Sequence, residues 1–354
     1  MHLILQLKGV AMPARAGGGN MKIIKTFVAA GALSASLAVA AHAETVLKLA
    51  TAAPEKTPWG AQVVRLADAI AEESEGRLKV EPYFNSQLGT ENDTLAQLAR
   101  GRIEMGLFTI SAGAQQAPEI GLMQLYGFFD SNDQRACVQD NHLTDEIRAR
   151  LSPKGVYFGT WAEVGNGYLM ANREITSAED VKGLKVGISV NKINTEYWKT
   201  LGANPVPLSP GEAASAASTG LIDFYPTVYT FYIPSGFNKI YPIVNEYNYN
   251  NGPAMFAMSQ RVMDRLSAED QDAVKRAFAR FDSKQVMDEI FGFEDKMREI
   301  HTSSGGKIVE VSAEQAATFR EKLPPFWETM ASEYGDDGAA ILKLMEEGKA
   351  ACGS

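Results

Sequence analysis

Thr57-Pro58-Trp59, then Val63, Leu66 and Ile70 at helical spacing, then Glu75-Gly76, then Leu78-Lys79-Val80-Glu81-Pro82-Tyr83-Phe84: this stretch decides the fold. Threonine before proline reads as an N-cap with proline in the first helical turn, where its missing N–H costs nothing. The glycine stops the helix, and the alternation from Leu78 predicts a strand that runs into a turn at Gln87-Leu88-Gly89. Upstream, Val46 to Leu49 is a short apolar strand. Downstream, Thr94 to Ala99 is helical, Gly101 caps it, and Ile103 to Ile110 returns as strand. Strand, helix, strand, helix, strand predicts an α/β sheet with crossover helices.

The same grammar returns later. Ser177 with Asp180 resembles a capping box for a short helix stopped by Gly183, and Leu184 to Val190 reads as strand. Ser209-Pro210-Gly211-Glu212 opens an alanine-rich helix, Gly220 closes it, and Leu221 to Tyr225 reads as strand. Ala99-Arg100-Gly101-Arg102-Ile103-Glu104 and Ser218-Thr219-Gly220-Leu221-Ile222-Asp223 share a pattern: a helix end, a glycine cap, an isoleucine and an acid entering a strand. The chain is expected to hold two related α/β lobes. From Ser267 to Ile300 a long helical pattern, with Val274, Phe278 and Phe281 on one face, suits an element spanning both. A further helical stretch from Ser312 through Trp327 to Tyr334 closes the chain.

The N-terminus predicts where the protein works. Lys22 and Lys25 precede an apolar run from Thr26 to Ala40, and Ala41-His42-Ala43 follows as an A-x-A cleavage site. This is the pattern of a secretory signal peptide, with Met1 to Asn20 as an upstream extension and Glu44 as the expected first residue of the exported, periplasmic chain. The run is too short to span a bilayer as a helix. Cleavage removes four of the 34 basic residues and none of the 43 acidic ones, an acidic balance that argues against nucleic acid and anionic lipid as partners. The remaining ~310 residues suffice for two domains. Cys137 and Cys352 are the two cysteines. In an oxidising compartment they form one disulfide or stay as two separate thiols, and spacing leaves both readings open.

Catalytic motifs fail their context tests. His142 and His301 are the histidines left after cleavage, neither at metal-ligand spacing, and G-x-S-x-G and H-E-x-x-H are missing from the sequence. Gly165-Asn166-Gly167 is followed by Met170 where a dinucleotide fingerprint needs glycine. Asp130-Ser131-Asn132 starts like a calcium loop but meets Arg135 where glycine is required. Asp145-Glu146 and Glu346-Glu347 are adjacent and point different ways on a helix. No catalytic motif, metal-ligand spacing or cofactor fingerprint in the sequence survives its context, and neither an enzyme nor a metal or cofactor is expected.

Several segments, in order, resemble one family: Pro58-Trp59, the run Val80 to Gly89, Leu95 to Met105, Asn172 with Ile175, Ser177 to Val186, Leu201 to Pro207, and Ser267 to Gln271. The chain resembles the solute-binding proteins of tripartite ATP-independent periplasmic (TRAP) transporters, of the dicarboxylate-binding DctP type. The resemblance implies a two-lobed periplasmic binding protein, type II-like in its TRAP variety, with a long lobe-spanning helix. The implied lobe I is 44–164 with 253–292, and lobe II is 165–252 with 293–354. It also implies a monomer that closes over one small molecule, an organic acid in the family at large, and hands it to a small and a large membrane subunit. A receptor for an ATP-driven importer or a sensor kinase would share the same binding physics.

In carboxylate-binding members, the strand after the Lys-Gly-Leu-Lys signature carries an arginine that clamps the carboxylate with two parallel hydrogen bonds. That position is Gly187, and a second arginine position aligns with Tyr168. A subgroup with Trp-x-Glu-x-Gly and then tyrosine resembles Trp161, Glu163, Gly165 and Tyr168. Gly187 is expected to leave room in the cleft and to remove a fixed positive charge, so that the ligand is bulkier or less anionic there than a small dicarboxylate. Trp161 and Glu163 read equally as a stacking wall with an acceptor and as hinge packing. Tyr225, Tyr229, Phe231 and Tyr232 follow a strand whose carboxyl end should face the ligand, and one or two of them should contact it. Ser189 and Asn191 are candidate donors, with helix capping as the alternative. Trp59 begins a helix whose free N–H groups point to the cleft in the family. Lys192 and Arg173 are cations that could replace the lost guanidinium.

Overall fold

Thr57 does open a helix: its hydroxyl accepts the Gly60 N–H at 3.1 Å and starts α1 (Pro58–Glu73). Val63, Leu66 and Ile70 are buried along one face of it. In the computed structural model the described residues are 44–188, 192–208 and 210–353, so the leader expected from Met1 to Ala43 lies outside them. The first unit runs β1 (Thr45–Thr51), α1, β2 (Leu78–Tyr83), α2 (Glu91–Ala99), β3 (Met105–Thr109) and the single turn α3 (Ile110–Gly113). Next come α4 (Asn132–Val138), α5 (Thr144–Leu151) and the long strand β4 (Val156–Ala171). The second unit is β5 (Lys185–Ile188), α6 (Lys192–Thr200), β6 (Asn204–Pro207), α7 (Pro210–Ser218), β7 (Phe224–Val228) and α8 (Tyr229–Tyr232).

The two units repeat one topology. β1 pairs in parallel with β2 and β3, and β5 pairs in parallel with β6 and β7. The likeness reaches single residues: Gly101 and Gly220 are both left-handed, at φ 76° and 71°, and Ile103 and Ile222 are both buried. The acids that follow play one part. Glu104 accepts the backbone N–H of Lys48 at 3.0 Å, and Asp223 that of Lys185 at 2.7 Å.

The units meet through β4 and a second long strand, β8 (Ile243–Ser259), giving a nine-stranded sheet in the order β2-β1-β3-β8-β4-β7-β5-β6, with β9 (Lys307–Glu310) also on β8. Chain order continues after β8 with α9 (Gln260–Met263), α10 (Ala268–Phe278) and α11 (Ser283–Ser303). After β9 come α12 (Ala313–Arg320), α13 (Pro324–Ser332) and α14 (Gly335–Cys352). One face of the sheet carries two separate clusters, one under α1 and α10 and one under α7 and α8, with α11 reaching both. The other face carries one cluster that runs under both units, from Leu95 and Phe158 to Trp198, Phe224 and Phe319. Among the described residues no helix is long and apolar enough to cross a membrane.

Four expectations need correction. The pattern from Ser267 to Ile300 is two helices, because Asp282 accepts the Gln285 N–H at 2.7 Å and caps a new start; a local side-chain bond outcompetes helix continuation there. Ser177 to Gly183 is a turn, where Asp180 Oδ2 accepts the N–H groups of Thr176 and Ser177. The strand expected from Leu221 begins at Phe224, since Leu221 is exposed and Ile222 turns into the core. The chain does not close at Tyr334 but adds α14. Cys352, on that helix, is joined to Cys137 of α4, with Cα atoms 5.9 Å apart at a sequence separation of 215. A cross-link over so long a stretch removes much chain entropy from the unfolded state.

Candidate functional site

Strand direction locates the cleft. β8 is antiparallel to both β3 and β4, so β4 runs with β3, and β7 is antiparallel to β4. The carboxyl ends of the two parallel units therefore face each other across the middle of β4 and β8, between Ala162, which pairs with Ala254, and Gly167, which pairs with Val228. Ligands of open α/β sheets sit outside the carboxyl ends of strands.

The first unit's rim is built from three helix starts, each capped by threonine: Thr57 on Gly60, Thr90 on Asp93 and Thr109 on Ala112. Asn85 and Ser86 both adopt positive φ, at 53° and 57°, and their N–H groups bind the carbonyls of Ala53 and Thr51 at the end of β1. Two non-glycine residues in succession in the left-handed region hold strain. This tight bend sends the chain back toward Glu91, the first residue of α2. Glu91 Oε1 accepts the Thr109 N–H at 2.6 Å and Oε2 accepts the Thr109 hydroxyl at 3.0 Å; burial pushes its carboxyl up. Trp59 is half-buried against the α1 cluster, and its indole N–H has no acceptor among the described residues.

On the second unit, Gly187 lies near the end of β5, and a Cβ there would stand 2.8 Å from Ile222 Cδ1 and 3.0 Å from Tyr225 Cδ2. The room expected at Gly187 is thus already filled: the Tyr225 ring occupies it. Tyr225 is 4% exposed, packs against Phe237, and makes no hydrogen bond with a described residue; burial pushes its hydroxyl up to about 12. The other aromatics of the group are committed elsewhere, Tyr229 to Glu246 at 2.9 Å and Tyr232 to the Tyr241 carbonyl at 2.6 Å. Phe231 is half-buried in the α8 cluster. Ser189 and Asn191 lie outside the described residues.

The crossing strands carry the strongest electrostatics. Glu163 is fully buried: Oε2 accepts from Arg135 at 2.7 Å, and Oε1 accepts the N–H groups of Val164 and Gly165. Its backbone is clasped by the Gln62 amide from α1. Burial pushes the Glu163 carboxyl up, and Arg135 with the two N–H groups pulls it back. Three residues on, Glu294 of α11 accepts the Asn166 N–H at 3.0 Å and has Tyr168 Oη 3.5 Å from its other oxygen. Gly165, at φ +134°, allows this approach, because a Cβ there would lie 2.5 Å from Glu294 Oε1. Burial raises the Glu294 carboxyl to about 8; the Asn166 N–H opposes the shift, Glu163 adds to it, Tyr168 opposes it and Glu246 adds to it.

Of the sequence candidates, the structure brings Tyr168, Tyr225, Gly187 and Tyr229 to the second unit's end of the crossing, and Trp59 to the first unit's rim. Trp161 is 2% exposed and gives its indole N–H to the Gln139 carbonyl and Thr144 Oγ1, which anchors α5. The groove it borders is formed with Thr144, Arg148, Phe278 and Phe281 rather than with rim residues. Lys192 is paired with Glu333, and Arg173 is exposed. Sequence reading missed Glu91, Arg135 and Glu294. Glu294 had a signal: it continues the buried stripe Val286, Ile290, Met297 and His301 of α11.

Residues 49–334 match the family described as bacterial extracellular solute-binding protein, family 7, or DctP. The chain belongs to this family. It is 26% identical to the sialic acid-binding periplasmic protein SiaP of Vibrio cholerae over 330 residues, 88% of this chain and 97% of that one. A TRAP periplasmic solute-binding protein of Ochrobactrum anthropi superposes with a TM-score of 0.80 at 22% identity, covering 88% of this chain and 96% of its own. Another, from Chromohalobacter salexigens with bound D-glucuronate, reaches 0.78 at 21% identity over 85% and 99%. The two-lobed DctP fold is therefore that of this chain, and the Tyr225 ring lies against Gly187 on the neighbouring strand. Gly187→Ala should lower unfolding stability by about 1–3 kcal/mol, because the ring and Ile222 must shift. An unchanged melting temperature would mean that both side chains yield freely, and Gly187→Arg should cost more than alanine.

Proposed function

We propose that this DctP-family chain is a periplasmic receptor that captures one small polar solute between its lobes and delivers it to the small and large membrane subunits of a TRAP transporter. The observation that carries the reading is the head-on placement of two sets of strand carboxyl ends, joined by crossing strands that bend at Gly165. Such a frame closes around a ligand by hinge motion, and the ligand shifts the open–closed balance only by binding the closed form more tightly than the open one. In this reading the lobe boundaries fall near 164–165, 252–253 and 292–293, and Tyr168 and Tyr225 line the cleft with Trp59 opposite. The receptor acts as a monomer, without catalysis, and begins at Glu44 after signal cleavage.

The test is native mass spectrometry of protein isolated from its own periplasm, with small-angle scattering of the stripped chain before and after the released molecule is returned. The reading expects a mass starting at Glu44, one small molecule per chain, and a smaller radius of gyration on rebinding. A chain with no stoichiometric small molecule, or one whose dimensions stay constant on rebinding, would overturn it.

A further inference from the structure

Resting on the receptor reading, a second inference concerns what the cleft accepts. Glu91 stands at the rim with both oxygens held by Thr109, and no lysine or arginine among the described residues pairs with it. Each oxygen keeps a lone pair, and a carboxylate can only accept. The basic groups of the crossing region are engaged: Arg135 with Glu163, Arg298 with Glu246, Arg65 with Glu289 and Lys192 with Glu333. The stretches 189–191, 209 and 248–251 contain no lysine or arginine in the sequence. At Gly187, the position at which the resemblance puts an arginine in carboxylate-binding members, the Tyr225 ring fills the space.

A carboxylate ligand would meet Glu91 at this rim and would find glycine at 187 and tyrosine at 168 in place of a clamping guanidinium, a combination that burial makes costly. Adjacent hydroxyl groups suit it instead, because two O–H donors match the two free lone pairs of a fixed carboxylate and a tyrosine ring offers an apolar wall to a sugar face. We propose that the ligand is an uncharged polyhydroxylated solute, a sugar or polyol, held through two neighbouring hydroxyls by Glu91 and not through a carboxylate.

Calorimetry on the exported chain, stripped of ligand, tests this with three probe groups: D-glucose, D-galactose, D-mannitol and myo-inositol; D-glucuronate and D-galacturonate; and D-glucosamine as an ammonium-bearing sugar. At least one neutral probe should bind, and more tightly than either uronate or the amine. Glu91→Gln should weaken that probe by about ten- to hundredfold, the loss of hydrogen bonds to a charged group. A melting curve of the variant verifies folding, and the probe ranking on the unmodified chain stands independently of it. A uronate or glucosamine preferred over every neutral probe, no binding by any neutral probe, or unchanged affinity in a folded Glu91→Gln variant would each overturn the inference. The receptor reading is decided separately, by the molecule released from native protein.

Discussion

Arg135→Met is expected to destabilise the protein by about 3–5 kcal/mol in urea unfolding. Arg135 and Glu163 are each about 1% exposed as side chains and meet at 2.7 Å. Methionine fills much of the arginine's volume but leaves Glu163 as a buried carboxylate whose remaining partners are the N–H groups of Val164 and Gly165. Removing one member of such a pair costs far more than removing both, since the cost is an uncompensated charge. The double variant Arg135→Met, Glu163→Gln should therefore recover most of the loss, because glutamine keeps an acceptor for those N–H groups. Equal loss in the single and double variants would show that the pair matters by packing alone.

Glu294→Gln is expected to change the pH dependence of stability. Folding raises this carboxyl from an ordinary 4.5 to about 8. Between those values the folded chain holds a proton that the unfolded chain has released, so the favourable contribution is complete below pH 4.5 and is lost as pH rises through 8. At 1.36 kcal/mol per pH unit the full loss is on the order of 4–5 kcal/mol. Glutamine removes that slope while it still accepts from Asn166. Urea unfolding from pH 4.5 to 9 should find the variant level with the parent at the acid end and more stable at the alkaline end. Parallel profiles would mean that Glu294 does not hold its proton in the folded state.

The part of the molecule legible from sequence was the part whose order is local. The run from β1 to β3 shows itself through alternation, helical spacing and a Thr-Pro cap, and the glycine–isoleucine–acid pattern announced the second unit because each acid serves the backbone of a neighbouring strand. What stayed hidden depends on partners far along the chain. Arg135 looks like an ordinary surface charge, and Glu163 like an acceptor for a ligand or a hinge residue, until α4 is laid against β4 and the two form a buried pair. Glu294 sits on an apolar stripe, where a charge normally ends the stripe rather than joining it. Gly187 reads as a vacancy on its own strand, because only the neighbouring strand shows that the Tyr225 ring covers it. The helix break before Ser283 was masked by an apolar pattern that continues through Phe281, and α14 has too many small and charged residues to show a face.

The pairing of β3 with β8 has a consequence for the growing chain. β3 ends at Thr109, yet the strand that covers its open edge begins at Ile243, and α10, which packs on α1, begins at Ala268. The half of the sheet that emerges first therefore cannot be completed until most of the polypeptide has been made. An uncovered strand edge invites pairing with other chains, and distant pairings form slowly. No single cut can release an autonomous half, and the nascent protein needs protection over most of its length before its first three strands are safe.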